Sequence, residues 1–252
     1  MAKKKKQKEK KYRYAVFAAG TVAALLILTA ALLLGTQQER GVVCQIDGVP
    51  VYEPEVAIAA DQVEFAAKQQ FAELAGKEMG SVDLSEEVDG KTGYEFLGEA
   101  VKEELVRMKT IQIDAKRHGL CEEITYPEIE TAREEENSQR ADTKASDGVV
   151  YGVVSFGEEE YYRYLLDNLD LQNKRYLRQE GVLTATEEEA KEEYEKDPSV
   201  FANQEYDSVS MFVKNAVITR KYEEYMNKLE NSAEVENAGN IARFLERAEE
   251  QG

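Results

Sequence analysis

Apolar residues recur along most of this chain at three- and four-residue intervals, the period of an α-helix with one buried face. In "VYEPEVAIAADQVEFAAKQQFAELAG" they fall at Val56, Ala59/Ala60, Val63, Ala66/Ala67, Phe71 and Leu74. Pro54 suits the first turn, and Glu53 and Glu55 suit its positive end. Gly76 and Gly80 should end this helix, and "SVDLSEEVDGKTG" reads as a polar loop. The next stripe is Leu97, Val101, Leu105, Met108, Ile111 and Ala115, closed by Lys116, Arg117, His118 and a capping Gly119. A third helix starts at Thr125, but few apolar residues follow Ile129, so it should be exposed or short. The Gly-punctuated apolar linker "SDGVVYGVVSFG" leads to a helix with Tyr162, Leu165/Leu166, Leu169 and Tyr176 on one face. A short helix follows, with Thr186 and Glu189 as a capping box and Asp197-Pro198 at its end. A long helix over about residues 204–231 carries Tyr206, Val209, Val213, Ala216, Tyr222, Tyr225/Met226 and Leu229.

Two stretches break the helical period. "VCQIDGVPVYEPEV" reads as a short strand, an Asp-Gly turn and a few extended residues before the first helix. "SAEVEN", residues 232–237, alternates like a short strand, and a polar amphipathic tail follows it over residues 238–252.

The N-terminus differs from everything after it. Residues 15–35 are 21 residues without a charge, about the ~20 needed to cross a hydrocarbon core. Eight basic residues and one acid precede them. That cluster should stay in the cytoplasm and put the C-terminal body outside. A cleaved signal peptide is the competing reading. Against it, "LLLGTQQER" offers no small-x-small cleavage site, and Cys44 lies too far along for a lipobox.

Of the 32 basic and 50 acidic residues, 24 basic and 49 acidic lie beyond Arg13, a formal charge of −25. So acidic a body repels nucleic-acid phosphate. With 42% hydrophobic residues and 4 Pro, it suits a folded helical domain rather than a disordered chain. His118 is the one histidine, and without a placed nucleophile it reads as a helix C-terminal charge. No HExxH, phosphate-binding loop or GxGxxG occurs. The acidic runs lack the order of a calcium loop and read as solvated helix faces; "DLSEEVDG" comes nearest. No cofactor or metal is expected. Cys44 and Cys121, in the expected exterior, are either a disulfide or two small buried hydrophobes.

The 14 tyrosines include a cluster at Tyr151, Tyr161, Tyr162, Tyr164 and Tyr176. Tyrosine combines apolar area, a polar tip and few rotatable bonds, which suits adaptable binding as well as packing.

Taken in order, these segments resemble a family. "VVCQIDGVPVYEPEV" is similar to the "V-x-x-V-N-G-x-x-I-x-x-x-E" entry of SurA-like chaperone domains, with Ile46-Asp47-Gly48 in place of Val-Asn-Gly. These occur in anchored extracytoplasmic foldases and are distantly similar to the C-terminal domain of trigger factor. "AVKEELVRMKTIQIDAKRHGL", "LTATEEEAKEEYEKDPSVF" and "KYEEYMNKLENSAEVEN" resemble the family's later segments. The likeness spans about residues 42–237, and it rests on order and spacing. One departure matters: such foldases often insert a parvulin prolyl isomerase domain where this chain has only a few residues after Phe201.

The expected architecture is mainly α: a basic segment (1–14), a transmembrane helix (15–35) and a linker (36–41) read from the residues, then a helical chaperone-like domain (42–237) that the resemblance implies. The resemblance also implies a polypeptide-binding module without isomerase chemistry, holding unfolded or newly secreted chains in an apolar crevice. Tyr151, Phe156, Tyr161, Tyr162, Tyr164, Leu166, Leu169 and Tyr176 are the candidate gripping residues. A dedicated partner of one envelope protein and a residual isomerase are the alternatives. One strand cannot satisfy its own backbone groups in water. Residues 42–46 are therefore expected to pair with 233–236, a β pair clasping the two ends of the domain.

Overall fold

A computed structural model describes residues 41–146 and 148–251, and among these seven helices pack with a short three-stranded sheet and a two-stranded hairpin. The basic segment, membrane helix and linker expected before residue 41 lie outside the described residues. Among the described residues, no helix is long and apolar enough to cross a membrane.

The first strand, β1 (Val42–Ile46), turns through Asp47 and Gly48 into β2 (Val49–Tyr52). Both turn residues have positive φ, 48° and 75°, which matches the twist of a two-residue hairpin and explains the Asp-Gly pair. Late in the chain, β5 (Val235–Glu236) pairs antiparallel with β1, joining Gln45 to Glu236 and Ile46 to Val235. The expected clasp of the two ends is present. Asp47 strengthens it twice: its N–H donates to Glu234 O at 2.9 Å, and its carboxylate accepts from Glu234 N at 2.8 Å. The sheet order is β2-β1-β5, so the expected pair is one half of a three-stranded sheet. The extended residues after the turn are a strand because they hydrogen-bond to β1 first.

Helix α1 (Glu53–Ala75) begins directly at β2 and ends at Gly76, whose left-handed backbone (φ 64°) lets Gly76 and Lys77 close on the last carbonyls. The polar loop after it contains a small hairpin, β3 (Glu87–Val88) with β4 (Lys91–Thr92), turned by Asp89 and Gly90. Central to the domain is α2 (Gly93–Arg117), capped by Thr92 and Glu95. All six positions of its expected stripe are buried. It packs against α1 and against α4 (Glu158–Gln179).

Helix α3 (Tyr126–Ala145) is full length but solvent-facing, burying only Tyr126 and Ile129. Its start is fixed by Glu128, which accepts from Thr125 N at 3.0 Å. Helix α5 (Glu187–Lys196) carries the expected Thr186–Glu189 capping box. The long α6 (Tyr206–Ser232) divides its contacts. Its first half packs with α5 around Ala190, Val209 and Val213, making a small tip. Its second half reaches the domain centre, where Tyr225 donates to Asp114 at 2.9 Å and Tyr222 to Asp170 at 2.6 Å.

The C-terminal segment corrects the sequence reading. It is no free tail: α7 (Gly239–Gln251) packs along the first half of α2. Ile241 and Leu245 are buried there, and Asn240 donates to Val43 O at 3.1 Å. Gly98 of α2 permits this approach, since a Cβ there would lie 3.1 Å from the Ala242 methyl. Polar residues hid a narrow stripe of Ile241 and Leu245 at i, i+4.

Candidate polypeptide-binding surface

Beneath the aromatic cluster lies a buried polar centre. Glu55, Lys109, Gln112 and Tyr162 are all fully buried. Glu55 is placed by the first turn of α1, and its carboxylate accepts from Tyr52 N at 2.9 Å, from Lys109 Nζ at 2.6 Å and from the Tyr162 hydroxyl. Lys109 also donates to Ile124 O at 3.2 Å, and Gln112 to the Tyr162 oxygen at 2.9 Å. Removed from water, each charge needs such partners. Burial, and then the Glu55 charge, hold the Tyr162 hydroxyl well above its ordinary range, so it serves as a donor. The centre joins α1, α2 and α4 and has no open side; its role is to fix those helices.

That geometry corrects the expected crevice. Tyr162, Leu166 and Leu169 are core residues, while Phe156 and Tyr161 are buried against each other with ring centroids 5.5 Å apart. Tyr176 is half-buried and stacks on His118 at 4.4 Å. His118 caps α2, its Nδ1 3.6 Å from Asp114 Oδ2, in agreement with a helix-terminal role. Two surface grooves of about 440 and 470 Å³, one between α2 and α7 and one along α4, contain none of the eight expected gripping residues. The helical period marks one face of α4 as apolar, and that face is turned inward.

What remains outside is a strap, residues 148–157, and Tyr164 beside it. Tyr151 is 85% exposed and Tyr164 48%; Val149 and Val154 are also exposed. Phe156 stacks on Tyr164 at 5.1 Å and lies under the Arg140 guanidinium at 4.6 Å. Arg133, Asn137 and Arg140 of α3, which hold the strap, are absent from the sequence reading. Their i, i+4, i+7 spacing was the available signal.

A second apolar surface was also missed. At the α5–α6 tip, Tyr194, Phe201 and Tyr206 pack around the small core, while Val200, Met211 and Phe212 face solvent, the last two 68% and 69% exposed. Met211 and Phe212 fall between the buried Val209 and Val213, off the stripe. Residues 187–214 carry nine acids against three bases, so this segment is acidic overall, with Glu187, Glu189 and Glu193 paired to Lys214, Lys221 and Lys196.

The two cysteines are free thiols, which corrects the disulfide reading. Cys44 is buried in β1, and its thiol is pushed up to about 11, chiefly by burial and then by the Glu55 charge. Cys121 is half-buried past the end of α2, with Sγ 3.9 Å from Gln112 O. They fill two separate packing sites.

Comparison of the chain with family models, with curated proteins and with solved structures finds no match.

Proposed function

We propose that this chain is a membrane-anchored, extracytoplasmic chaperone-like protein that binds unfolded or newly translocated polypeptide without isomerase chemistry. One observation supports the reading most: Val200, Met211 and Phe212 stand exposed on an acid-rich tip whose own core is already filled. Large apolar side chains left in water suit transient contact with other apolar chains. Met is unbranched and polarizable and adapts to many partners. The acids of this segment favour client segments that mix basic and apolar residues, and they keep the complex soluble. The anchor at residues 15–35 and the SurA-like order of segments supply the location and the class.

The full chain in lipid nanodiscs should slow the aggregation of several unrelated unfolded proteins. Replacing Met211 and Phe212 with Glu should weaken that effect while leaving the thermal unfolding transition in place. Stoichiometric capture of one envelope protein, with no suppression of aggregation, would favour a dedicated partner instead. Prolyl isomerisation should run at the buffer rate, and a clear acceleration would overturn the assignment of a chain without isomerase chemistry.

A further inference from the structure

The strap is held almost wholly by its main chain. Asn137 accepts from Phe156 N at 2.7 Å and donates to Phe156 O at 3.0 Å. Arg133 donates to the same carbonyl at 3.3 Å. Arg140 donates to Tyr151 O at 3.0 Å and Val153 O at 2.7 Å. Of the strap's side chains, Phe156 alone is buried, set against Arg140, Tyr161 and Tyr164. Val149, Tyr151 and Val154 point to water. A surface that pairs with peptide N–H and C=O groups and buries one aromatic ring is indifferent to most of the sequence it holds.

The charges fit that task. Arg133 is paired with Glu130 at 2.8 Å and Arg140 with Glu136 at 2.7 Å. These pairs fix the guanidinium planes and offset their charge, which leaves them as oriented donors to carbonyls rather than an anion site. Gly148, Gly152 and Gly157 punctuate the strap, and Gly152 has φ 79°. The two ends are tied, Gly148 N to Thr143 O at 2.8 Å and Gly157 O to Tyr161 N at 3.0 Å, so backbone freedom lies in the middle of the strap, at Gly152.

We propose that the Arg133–Asn137–Arg140 face of α3 is a receptor for an extended polypeptide bearing one aromatic anchor, and that the strap occupies it as an internal stand-in which a client displaces. This deepens the polypeptide-binding reading and rests on it. Tethered at both ends, the strap competes at an effective concentration on the order of millimolar. An outside peptide meets a free face only in the fraction of molecules whose strap is out, and its apparent affinity falls by that fraction. Client binding is thus weak at rest and self-limiting, with release driven by the strap's return.

The test uses the full chain in nanodiscs and a dye-labelled peptide of the strap's own sequence, GVVYGVVSFG, read by fluorescence anisotropy. Replacing residues 148–157 one for one by Gly and Ser should tighten peptide binding at least tenfold. Adding Asn137→Ala and Arg140→Ala should abolish that gain. Phe156→Ser alone keeps the strap's length and should also tighten binding, which covers a failure of the larger replacement to fold. If folded strap variants bind no tighter than the unaltered chain, or the gain survives loss of Asn137 and Arg140, the proposal is overturned. Aggregation suppression in the same samples separates the two ideas. Suppression without any peptide gain overturns the strap proposal and leaves the function standing; loss of both removes both.

Discussion

Helices α2 and α3 are of similar length, 25 and 20 residues, and both open with a carboxylate three residues after a threonine cap. Yet α2 buries thirteen residues and α3 two. The difference lies in what their polar side chains do. On α2, Lys109, Gln112 and Asp114 are sealed from water, and the helix is a scaffold whose polar groups must be satisfied from within the domain. On α3, Arg133, Asn137 and Arg140 are part-buried beneath the strap and direct hydrogen bonds to its main chain. A deeply buried helix fixes architecture; a solvent-facing helix with oriented donors can change partners.

The largest way to break this contrast is Lys109→Ala. It leaves Glu55 buried and unpaired, with only Tyr52 N and Tyr162 still donating to it. Stripping one partner from a buried pair costs about 3–5 kcal/mol. Urea unfolding should show a loss of that size, large against the usual total stability of a domain. Pairing Glu55→Gln with Lys109→Met should recover much of it. An equal loss in the double variant would mean that the stabilising contribution comes from packing around the site, not from the charge pair.

A smaller effect should follow pH. Cys44 sits beside the same centre with its thiol raised from 9.0 to about 11. A raised value means the folded state prefers the protonated form. Its contribution is therefore complete below pH 9 and is lost as pH climbs through 11. Over that window Cys44→Ala should remove a slope in stability worth about 2.7 kcal/mol at most. Thiol labelling near neutral pH should reach the half-buried Cys121 well before Cys44. Equal labelling rates would mean that the clasp opens independently of the core.

Much of α2 was legible because all six of its striped positions are buried in one continuous core. The β1–β5 clasp was legible because a strand must find a partner and residues 232–237 alternate, although β1 also pairs with β2, which the sequence reading left as extended residues. Periodicity went wrong where it had little to count. The α7 stripe has two large apolar residues, Ile241 and Leu245, in a polar sequence, and its docking depends on Gly98, a residue far away in the chain. The aromatic cluster failed for the opposite reason. Tyr162 and Tyr164 look alike in sequence, but one is fully buried on the Glu55 carboxylate and the other is nearly half exposed beside Phe156. Two residues apart on a helix they point about 200° from each other, and only the position of α1 decides which one is sealed.

The smallest effect is expected at the start of α3. Glu128 accepts from Ile124 N at 3.2 Å, Thr125 N at 3.0 Å and the Thr125 hydroxyl at 2.7 Å, so it fixes the start of α3 alone. Glu128→Ala should cost about 1 kcal/mol, the scale of a lost cap. Because only Tyr126 and Ile129 tie the helix to the core, the loss should be local. Hydrogen exchange should quicken in α3 and in the strap that hangs from it, with little change in α2. If α2 amides quickened equally, the two helices would open as one unit, and α3 would be part of the scaffold rather than a platform whose contacts can be exchanged.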